Sequence, residues 1–216
     1  MAAHADSASV HSSPDAGRSY LALGDSYTIG EGIAPSQSWP WQLAARLRAD
    51  GIALDDPWVI AGIGWTTDEL DAAITTAQPL GTHALVSLLI GVNDQYRGRP
   101  LDQYVAPFAA LLGRAIGFAG GRAGRVMVLS IPDWGVTPFG AASGRAAAGI
   151  ASELDDYNVA ARALCDGFGV AFVDITTLSR EHGRTLCADD GLHPSAALHA
   201  LWAHAALPIA RKLLLP

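Results

Sequence analysis

The chain is poor in cysteine, and this shortage excludes two classes of protein. Among 216 residues, only Cys165 and Cys187 are cysteines, and neither has a second cysteine at the spacing of a zinc site. Two cysteines cannot form the disulfide framework of a small secreted domain. We therefore expect two reduced, part-buried thiols.

Long apolar runs and positive charge are also scarce. No run reaches the ~18 apolar residues of a membrane span, and residues 1–17 lack the apolar core of a secretory signal peptide. The formal net charge is −7, and Lys212 is the only lysine. Such a charge disfavours nucleic acid and anionic membranes as partners. We expect a cytoplasmic protein that acts on a small molecule.

Cofactor and metal motifs are missing as well. No G-x-G-x-x-G segment follows a predicted strand, and no P-loop occurs, so we expect no nucleotide cofactor. His199 and His204 are five residues apart and cannot share one helical face, and no other cluster has the spacing of metal ligands. We expect no metal, and we expect these two histidines to be surface or packing residues.

What the chain does contain is enough apolar material for one core. Half of its residues are hydrophobic, which suits a single domain. Apolar runs alternate with segments of helical periodicity, the pattern of a parallel α/β sheet. We expect a domain over residues 18–216, preceded by a disordered tail over residues 1–17.

The pattern predicts five strands and five main helices. The strands are expected over residues 20–23, 58–61, 84–90, 125–131 and 171–174. The helices are expected over 39–50, from 66 or 67 onward, and over 101–118, 150–167 and 194–214. The Gly/Ala-rich residues 139–149 are expected to be mobile, and Pro208 is expected to kink the last helix or end it early.

Two segments, one near each end of the chain, supply a candidate serine nucleophile and a base for it. The apolar run that ends at Leu23 stops at Gly24-Asp25-Ser26, so Ser26 lies where a strand ends. A serine hydroxyl needs a base, and His193 is preceded by Asp189-Asp190. One of these carboxylates can orient the imidazole. The spacing alone leaves Asp189 and Asp190 as alternatives.

Two further polar segments follow the second and third predicted strands. In a parallel sheet these ends meet at one edge. Attack on an ester carbonyl builds negative charge on oxygen, which N–H donors stabilise. Asn93 can donate from its side chain, and Gly62 or Gly64 can donate from an unobstructed backbone N–H. The segment around Ser26 lacks the G-x-S-x-G elbow of α/β-hydrolases.

Three of these segments, in this order, resemble the motifs of a known superfamily. Gly24-Asp25-Ser26, Gly91-Val92-Asn93-Asp94 and Asp190-x-x-His193 are similar to the blocks of the SGNH, or GDSL-type, hydrolases and esterases. The resemblance covers about residues 19–215. It implies a flavodoxin-like three-layer α/β/α sandwich with a parallel sheet.

The resemblance also implies roles for individual residues. Ser26 would be the nucleophile, His193 the base and Asp190 its partner. Asn93, the Ser26 N–H and Gly64 would stabilise the oxyanion, Gly64 being preferred because it directly precedes an x-T-T segment. The family often carries an asparagine shortly upstream of this glycine, whereas this chain has Ile60-Ala61.

The resulting hypothesis is a serine esterase that hydrolyses carboxylic esters or thioesters of short to medium acyl chains through an acyl-enzyme. An acyltransferase with the same residues is one alternative. A catalytically inert flavodoxin-like binding module is another, which the intact set Ser26, Asn93, Asp190 and His193 argues against.

Aromatic and basic residues in the loops are candidates for contact with substrate. Trp65, Tyr96 and Trp134 follow predicted strands, and Trp134 lies in a cluster that looks exposed. Packing within a loop that forms a lid is the other interpretation of this cluster. Arg97 and Arg99 could bind a substrate carboxylate or phosphate. Solvated surface charge is the other interpretation of these arginines.

Overall fold

A parallel five-stranded sheet forms the centre of the protein. The computed structural model describes residues 18–215, and their strands lie in the order β2–β1–β3–β4–β5, with every pairing parallel. The strands are β1 (Tyr20–Asp25), β2 (Pro57–Gly62), β3 (Leu85–Leu89), β4 (Val126–Leu129) and β5 (Ala171–Val173). The prediction of a parallel α/β sheet is therefore confirmed.

Helices cover both faces of this sheet. They are α1 (Ser26–Ile29), α2 (Trp39–Ala49), α3 (Thr67–Thr76), α4 (Val92–Tyr96), α5 (Leu101–Phe118), α6 (Pro138–Ala142), α7 (Ala147–Phe168), α8 (Thr176–His182) and α9 (Ala196–Leu214). Helix α2 packs on α9, whereas α5 packs on α3 and α7. These two groups form the outer layers of the expected three-layer sandwich.

The strand order places a crevice next to β1. The chain passes from β1 to β2 on one side and then crosses to β3 on the other side. In open α/β sheets, ligands bind at the carboxyl ends of the strands where the order reverses in this way. Every residue of β1 and β3 is buried, as expected for the centre of a parallel sheet.

The helix expected over residues 150–167 begins earlier, at Ala147, and the short α6 lies largely within the segment 139–149 that was expected to be mobile. Helix α9 runs to Leu214, the end that the sequence predicted, and therefore does not stop early at Pro208. Pro208 and His204, four residues before it, lie on the exposed face, where water can bind the carbonyl that loses its partner.

Several smaller expectations can be compared with the structure. Both cysteines are free, and burial raises the pKa of the Cys165 thiol to about 12. His199 is fully buried and accepts a hydrogen bond from the Trp39 N–H at 3.1 Å. Within residues 18–215, no helix is both long and apolar enough to span a bilayer. The predicted tail over residues 1–17 lies outside the described residues.

Gly24 allows the turn from β1 into α1 to be tight. A methyl group at this position would lie 2.2 Å from Thr28 Oγ1 and 2.5 Å from the Leu89 carbonyl oxygen. The one-turn helix therefore folds directly over its own strand, against the end of β3. A side chain at Gly24 would push α1, which begins at Ser26, away from the sheet.

Asp25 is the buried link between β1 and α1. Its side chain is fully buried, and Oδ1 accepts a hydrogen bond from the Tyr27 N–H at 3.0 Å, which caps α1. Burial raises the pKa of the Asp25 carboxyl to about 8, and the nearby Asp94 acts in the same direction. Asp25 therefore holds the turn that carries Ser26 as a largely protonated acid at neutral pH.

We expect Gly24→Ala to lower the free energy of unfolding by about 1–3 kcal/mol, the usual cost of overpacking a core. Urea unfolding followed by circular dichroism measures this change. Gly113→Ala is the matched control, because Gly113 is a helical glycine with nothing within 4 Å of an added methyl. Gly113→Ala should instead raise the free energy of unfolding by about 0.5–1 kcal/mol. Equal effects in the two variants would contradict the steric argument.

We expect the Asp25→Asn variant to gain stability relative to wild type as the pH rises. The unfolded aspartate loses its proton near 3.8, whereas the folded one keeps it to about 8. The folded state binds this proton more tightly than the unfolded state, and the resulting stabilisation is fully present below about pH 4. It is lost as the pH rises from about 4 to about 8. Asparagine keeps an acceptor for the Tyr27 N–H and cannot ionise.

Urea unfolding of wild type and Asp25→Asn at pH 5 and pH 8 tests this expectation. The difference between the two proteins should grow by about 2–4 kcal/mol in favour of the variant at the higher pH. Asp102→Asn, at an exposed position in the first turn of α5, is the control. A difference independent of pH would refute the proposed protonation of Asp25.

Candidate active site

Ser26, His193 and Asp190 form one hydrogen-bonded chain. Ser26 is the first residue of α1, and its Oγ lies 3.0 Å from His193 Nε2. On the other side of the imidazole, Nδ1 lies 2.5 Å from Asp190 Oδ2. The carboxylate that contacts the ring therefore belongs to Asp190 and not to its neighbour Asp189.

The short loop before α9 holds Asp190 in position. Its Oδ1 accepts the backbone N–H groups of Leu192 and His193, both at 2.9 Å. Burial acts to raise the pKa of the Asp190 carboxyl, but the hydrogen bonds from the His193 ring and from these two N–H groups outweigh it and lower the pKa. The carboxyl is thus a stable anion beside the imidazole, which favours a proton on Nδ1 and leaves Nε2 to accept the Ser26 hydroxyl.

Tyr27 also packs against the imidazole. Its ring meets the His193 ring edge-on at 5.7 Å between centroids, and it meets Trp202 of α9 in the same way at 5.9 Å. Tyr27 is itself only 4% exposed. The imidazole is therefore fixed by packing as well as by hydrogen bonds.

A cavity of about 160 Å³ opens next to Ser26. Most of its lining residues are aliphatic or aromatic, and they are joined by Ser26, Asn93 and His193. The lining residues are Ser26, Tyr27, Val92, Asn93, Tyr96, Trp134, Phe139, Leu192 and His193. Such a pocket can take a small apolar group whose reactive end lies at the hydroxyl.

Trp134 is a buried wall of this cavity, so its burial matches the interpretation of loop packing and not that of an exposed cluster. The residue is 2% exposed because its loop folds back over the end of β4 and packs against α7. Its indole N–H donates to Gln95 Oε1 at 2.8 Å, and Gln95 Nε2 donates to Glu153 at 2.6 Å. Arg145, which pairs with Glu153, lies 5.5 Å above the indole ring.

Tyr96 lies at the outer end of the same wall. It is 51% exposed and packs edge-on against Trp134 at 5.3 Å between centroids. Tyr96 and Trp134, two of the three aromatic candidates for contact with substrate, thus line the cavity. Trp65 does not, because its ring covers Gly62 and packs against the core.

The loop after β2 separates the two glycines that the spacing left as alternatives. A methyl group at Gly62 would lie 2.2 Å from the Trp65 ring, so this glycine makes room for the ring. Gly64 has φ +74°, the left-handed region that favours glycine. The Asn93 side-chain amide donates to the Trp65 carbonyl at 3.0 Å and so connects this loop to α4. Gly64 itself does not line the cavity.

Asp94, which follows Asn93 in the chain, has a structural role. It is fully buried and accepts hydrogen bonds from the Thr67 N–H at 3.0 Å and from the Thr67 hydroxyl at 2.8 Å. Arg99 approaches the same carboxylate at 2.7 Å. Burial raises the pKa of Asp94, while the bonds from Thr67 and the charge of Arg99 act against it. The pairing joins α4 to the start of α3.

Four lining residues were not among the sequence-based candidates: Tyr27, Val92, Phe139 and Leu192. Tyr27, Val92 and Leu192 each directly neighbour a candidate, so proximity in sequence was an available signal. Phe139 had no such signal, because it reaches the site through tertiary packing. Its backbone N–H donates to the Gly191 carbonyl at 3.0 Å, which joins α6 to the loop that carries His193.

In the part of the chain that the structure describes, no group of three or more His, Cys, Asp and Glu side chains is arranged to hold a metal ion. The hydrogen-bonded chain of Asp190, His193 and Ser26 can transfer the Ser26 hydroxyl proton to the imidazole. The arrangement supports nucleophilic attack by Ser26.

Comparison with solved structures identifies many proteins of the same fold. LAE5, an alpha/beta hydrolase enzyme from the metagenome of Lake Arreo, Spain, is 22% identical over 92% of this chain and 97% of its own, with a TM-score of 0.70. TesA is 21% identical over 91% and 99%, with a TM-score of 0.69. Axe2, an acetylxylan esterase from Geobacillus stearothermophilus, is 22% identical over 92% and 94%, with a TM-score of 0.68.

At these identities, the three structures establish the fold alone. No curated protein matches this chain. The model of the GDSL-like lipase/acylhydrolase family, in contrast, matches residues 22–201, from β1 to α9. This match includes every segment that contributes to the Ser26 site, and the chain therefore belongs to the GDSL-like lipase/acylhydrolase family.

Proposed function

We propose that this protein is a serine esterase that hydrolyses carboxylic esters or thioesters of short acyl chains through an acyl-enzyme on Ser26. The observation that carries the proposal is the chain of hydrogen bonds from Asp190 through His193 to Ser26, which ends at the 160 Å³ cavity. Membership of the acylhydrolase family supports the reaction class.

In the first half of the reaction, Ser26 Oγ attacks the acyl carbonyl and His193 Nε2 takes the hydroxyl proton. The resulting imidazolium is stabilised by the Asp190 carboxylate. His193 then returns the proton to the leaving alcohol or thiol as its bond to the carbonyl carbon breaks. In the second half, water repeats this sequence, and the carboxylic acid leaves while Ser26 regains its proton.

The proposed oxyanion donors come from three neighbouring segments. Ser26 contributes its backbone N–H, which is the first of α1 and has no acceptor within the helix. Asn93 uses one amide hydrogen to bind the Trp65 carbonyl, and its second amide hydrogen remains for the substrate. The third proposed donor is the backbone N–H of Gly64, in the loop whose Trp65 carbonyl binds Asn93.

The size of the cavity supports a short acyl group. An apolar cavity of about 150 Å³ holds one benzene molecule, so 160 Å³ suits an acyl chain of about two to six carbons. Trp134 and Phe139 close the cavity, and the exposed Tyr96 lies at its outer end, where the alcohol part of the ester would lie. Axe2, which has the same fold, is an acetylxylan esterase.

We expect Ser26→Ala to abolish ester hydrolysis, because the attacking oxygen is removed while the fold is unaffected. The measurement is hydrolysis of p-nitrophenyl acetate, butyrate and octanoate by both proteins, with folding checked by circular dichroism. Wild type should prefer acetate and butyrate over octanoate. Equal rates in wild type and Ser26→Ala would leave only background chemistry and would contradict the proposed function.

The same assay separates hydrolysis from acyl transfer. With an alcohol such as glycerol present, a hydrolase releases mainly the free acid, whereas an acyltransferase forms mainly the new ester. Chromatography of the products distinguishes the two. Predominant ester at moderate alcohol concentration would replace the esterase proposal with the acyltransferase.

We expect shortening of Trp134 to extend the acyl preference, because the indole is a fixed wall of the cavity. Trp134→Ala should raise the ratio of octanoate to acetate hydrolysis by at least tenfold. Since such a truncation can cost about 3–5 kcal/mol of stability, Trp134→Phe is the second variant, with a smaller shift in the same direction.

Trp58→Ala is the matched control for this series. Trp58 is 44% exposed on β2, the edge strand of the sheet, and does not line the cavity. Its removal should leave the chain-length ratio unchanged. A profile that stays the same in both Trp134 variants would contradict the role of Trp134 as the acyl wall.

A further inference from the structure

The loop of residues 62–66, here called the glycine loop, has few contacts of its own around Gly64. The backbone hydrogen bond that closes it, from the Trp65 N–H to the Gly62 carbonyl, is 3.4 Å long. Ile63 is 64% exposed, so packing does not hold this side of the loop. Gly64 has no side chain to restrict its backbone. The conformation of the glycine loop therefore depends on contacts from outside it.

Arg97 provides such a contact. It follows α4 directly, and its Nη2 donates to the Gly64 carbonyl at 2.6 Å. The same nitrogen would lie 3.8 Å from a methyl group placed on Gly64, so the charge is next to the glycine itself. Asn93, one turn earlier in α4, binds the following carbonyl, that of Trp65. Two consecutive peptide groups of the loop are thus held by one short helix.

A carboxylate fixes the guanidinium in turn. Arg97 Nη2 lies 3.2 Å from Glu69 Oε2, and Nη1 donates to Glu69 Oε1 at 3.3 Å. The same Glu69 accepts the Thr66 N–H at 2.8 Å, and this bond is the largest cause that lowers the pKa of the Glu69 carboxyl. Arg97 and Glu69 together hold the glycine loop at Gly64 and at Thr66.

This arrangement contributes little to global stability. Arg97 is about half exposed, and exposed ion pairs are worth about 0–1 kcal/mol. Its consequence is local: a carbonyl bound at 2.6 Å restricts rotation about the Gly64 Cα–C bond, which relates this carbonyl to the Gly64 N–H. Oxyanion donors are effective because they are oriented before the reaction begins.

We propose that Arg97 is a positioning residue for the reaction, which holds the Gly64 N–H in the direction of the developing oxyanion through its bond to the Gly64 carbonyl. The inference rests on the proposed function, because it concerns the transition state of that reaction. Arg97 does not touch the acyl group, so it acts through the glycine loop and not on substrate binding.

Steady-state kinetics of Arg97→Ala with p-nitrophenyl acetate test the inference. We expect kcat to fall about tenfold while KM changes less than twofold, because the donor is lost in the transition state and not in the ground state. Arg97→Lys should recover part of kcat, since an ammonium group can still bind one carbonyl. A value of kcat within twofold of wild type in Arg97→Ala would overturn the proposal, as would a loss confined to KM.

Arg114→Ala is the matched control. Arg114 also binds a carboxylate and a carbonyl, both of Asp71 in α3, but it makes no contact with the glycine loop. Its kcat should match that of wild type, and urea unfolding should show similar stability for the two alanine variants. If Arg114→Ala lowers kcat as much as Arg97→Ala, loss of an ion pair alone explains the effect and the proposal fails.

A double-mutant cycle with Asn93 tests whether Arg97 acts through the oxyanion donors. Asn93→Ala should lower kcat by about 10²–10³, the usual effect of losing one donor. In this background, Arg97→Ala should cost less than it does in wild type, because the two residues act on one unit. If the double variant lowers kcat by the product of the two single losses, the inference is contradicted. If Ser26→Ala remains active the proposed function itself fails, whereas full dependence on Ser26 with an inert Arg97 rejects only the inference.

Discussion

The hydrogen bond between Ser26 and His193 joins residues that are 167 positions apart, and the arrangement of the site depends on it. Ser26 is held by the turn from β1 into α1, and His193 is held by the loop before α9. For the two atoms to lie 3.0 Å apart, β1 must be central and α9 must return to the same end of the sheet. The order β2–β1–β3–β4–β5 meets both conditions. It also brings the end of β3, and with it Asn93, next to Ser26.

Three aspartates near the site perform different tasks because their surroundings differ. Asp25 is buried with a single backbone donor, and burial raises the pKa of its carboxyl to about 8. Asp94 is equally buried but accepts hydrogen bonds from Thr67 and faces Arg99, so it binds α4 to α3. Asp190 is more exposed and has three donors, which lower the pKa of its carboxyl. It is the one that remains an anion beside an imidazole.

Helix α4 connects the parts of the site although it has only five residues. Asn93 contacts the glycine loop, Asp94 contacts the start of α3, and Gln95 holds the indole of Trp134. Tyr96 packs on the same indole, and Arg97 binds the Gly64 carbonyl. Consecutive residues of a helix point in different directions, so one short turn reaches both the glycine loop and the cavity beside Ser26.

The amino-acid sequence by itself determined the fold class and the main candidate residues. Apolar runs separated by helical periodicity are local patterns, and so are the motifs around Ser26, Asn93 and His193.

Tertiary structure decided what local patterns cannot express. The spacing did not separate Asp189 from Asp190, and only the position of the imidazole shows which carboxylate it meets. Trp134 looked exposed in a polar loop and is buried, because that loop folds onto α7. Phe139 lines the cavity although the sequence did not indicate it, and Trp65 does not line it because its ring packs over Gly62. The role of Arg97 likewise depends on a carbonyl 33 residues away in the chain, which lies beside it only after β2 and β3 have taken their places on either side of β1.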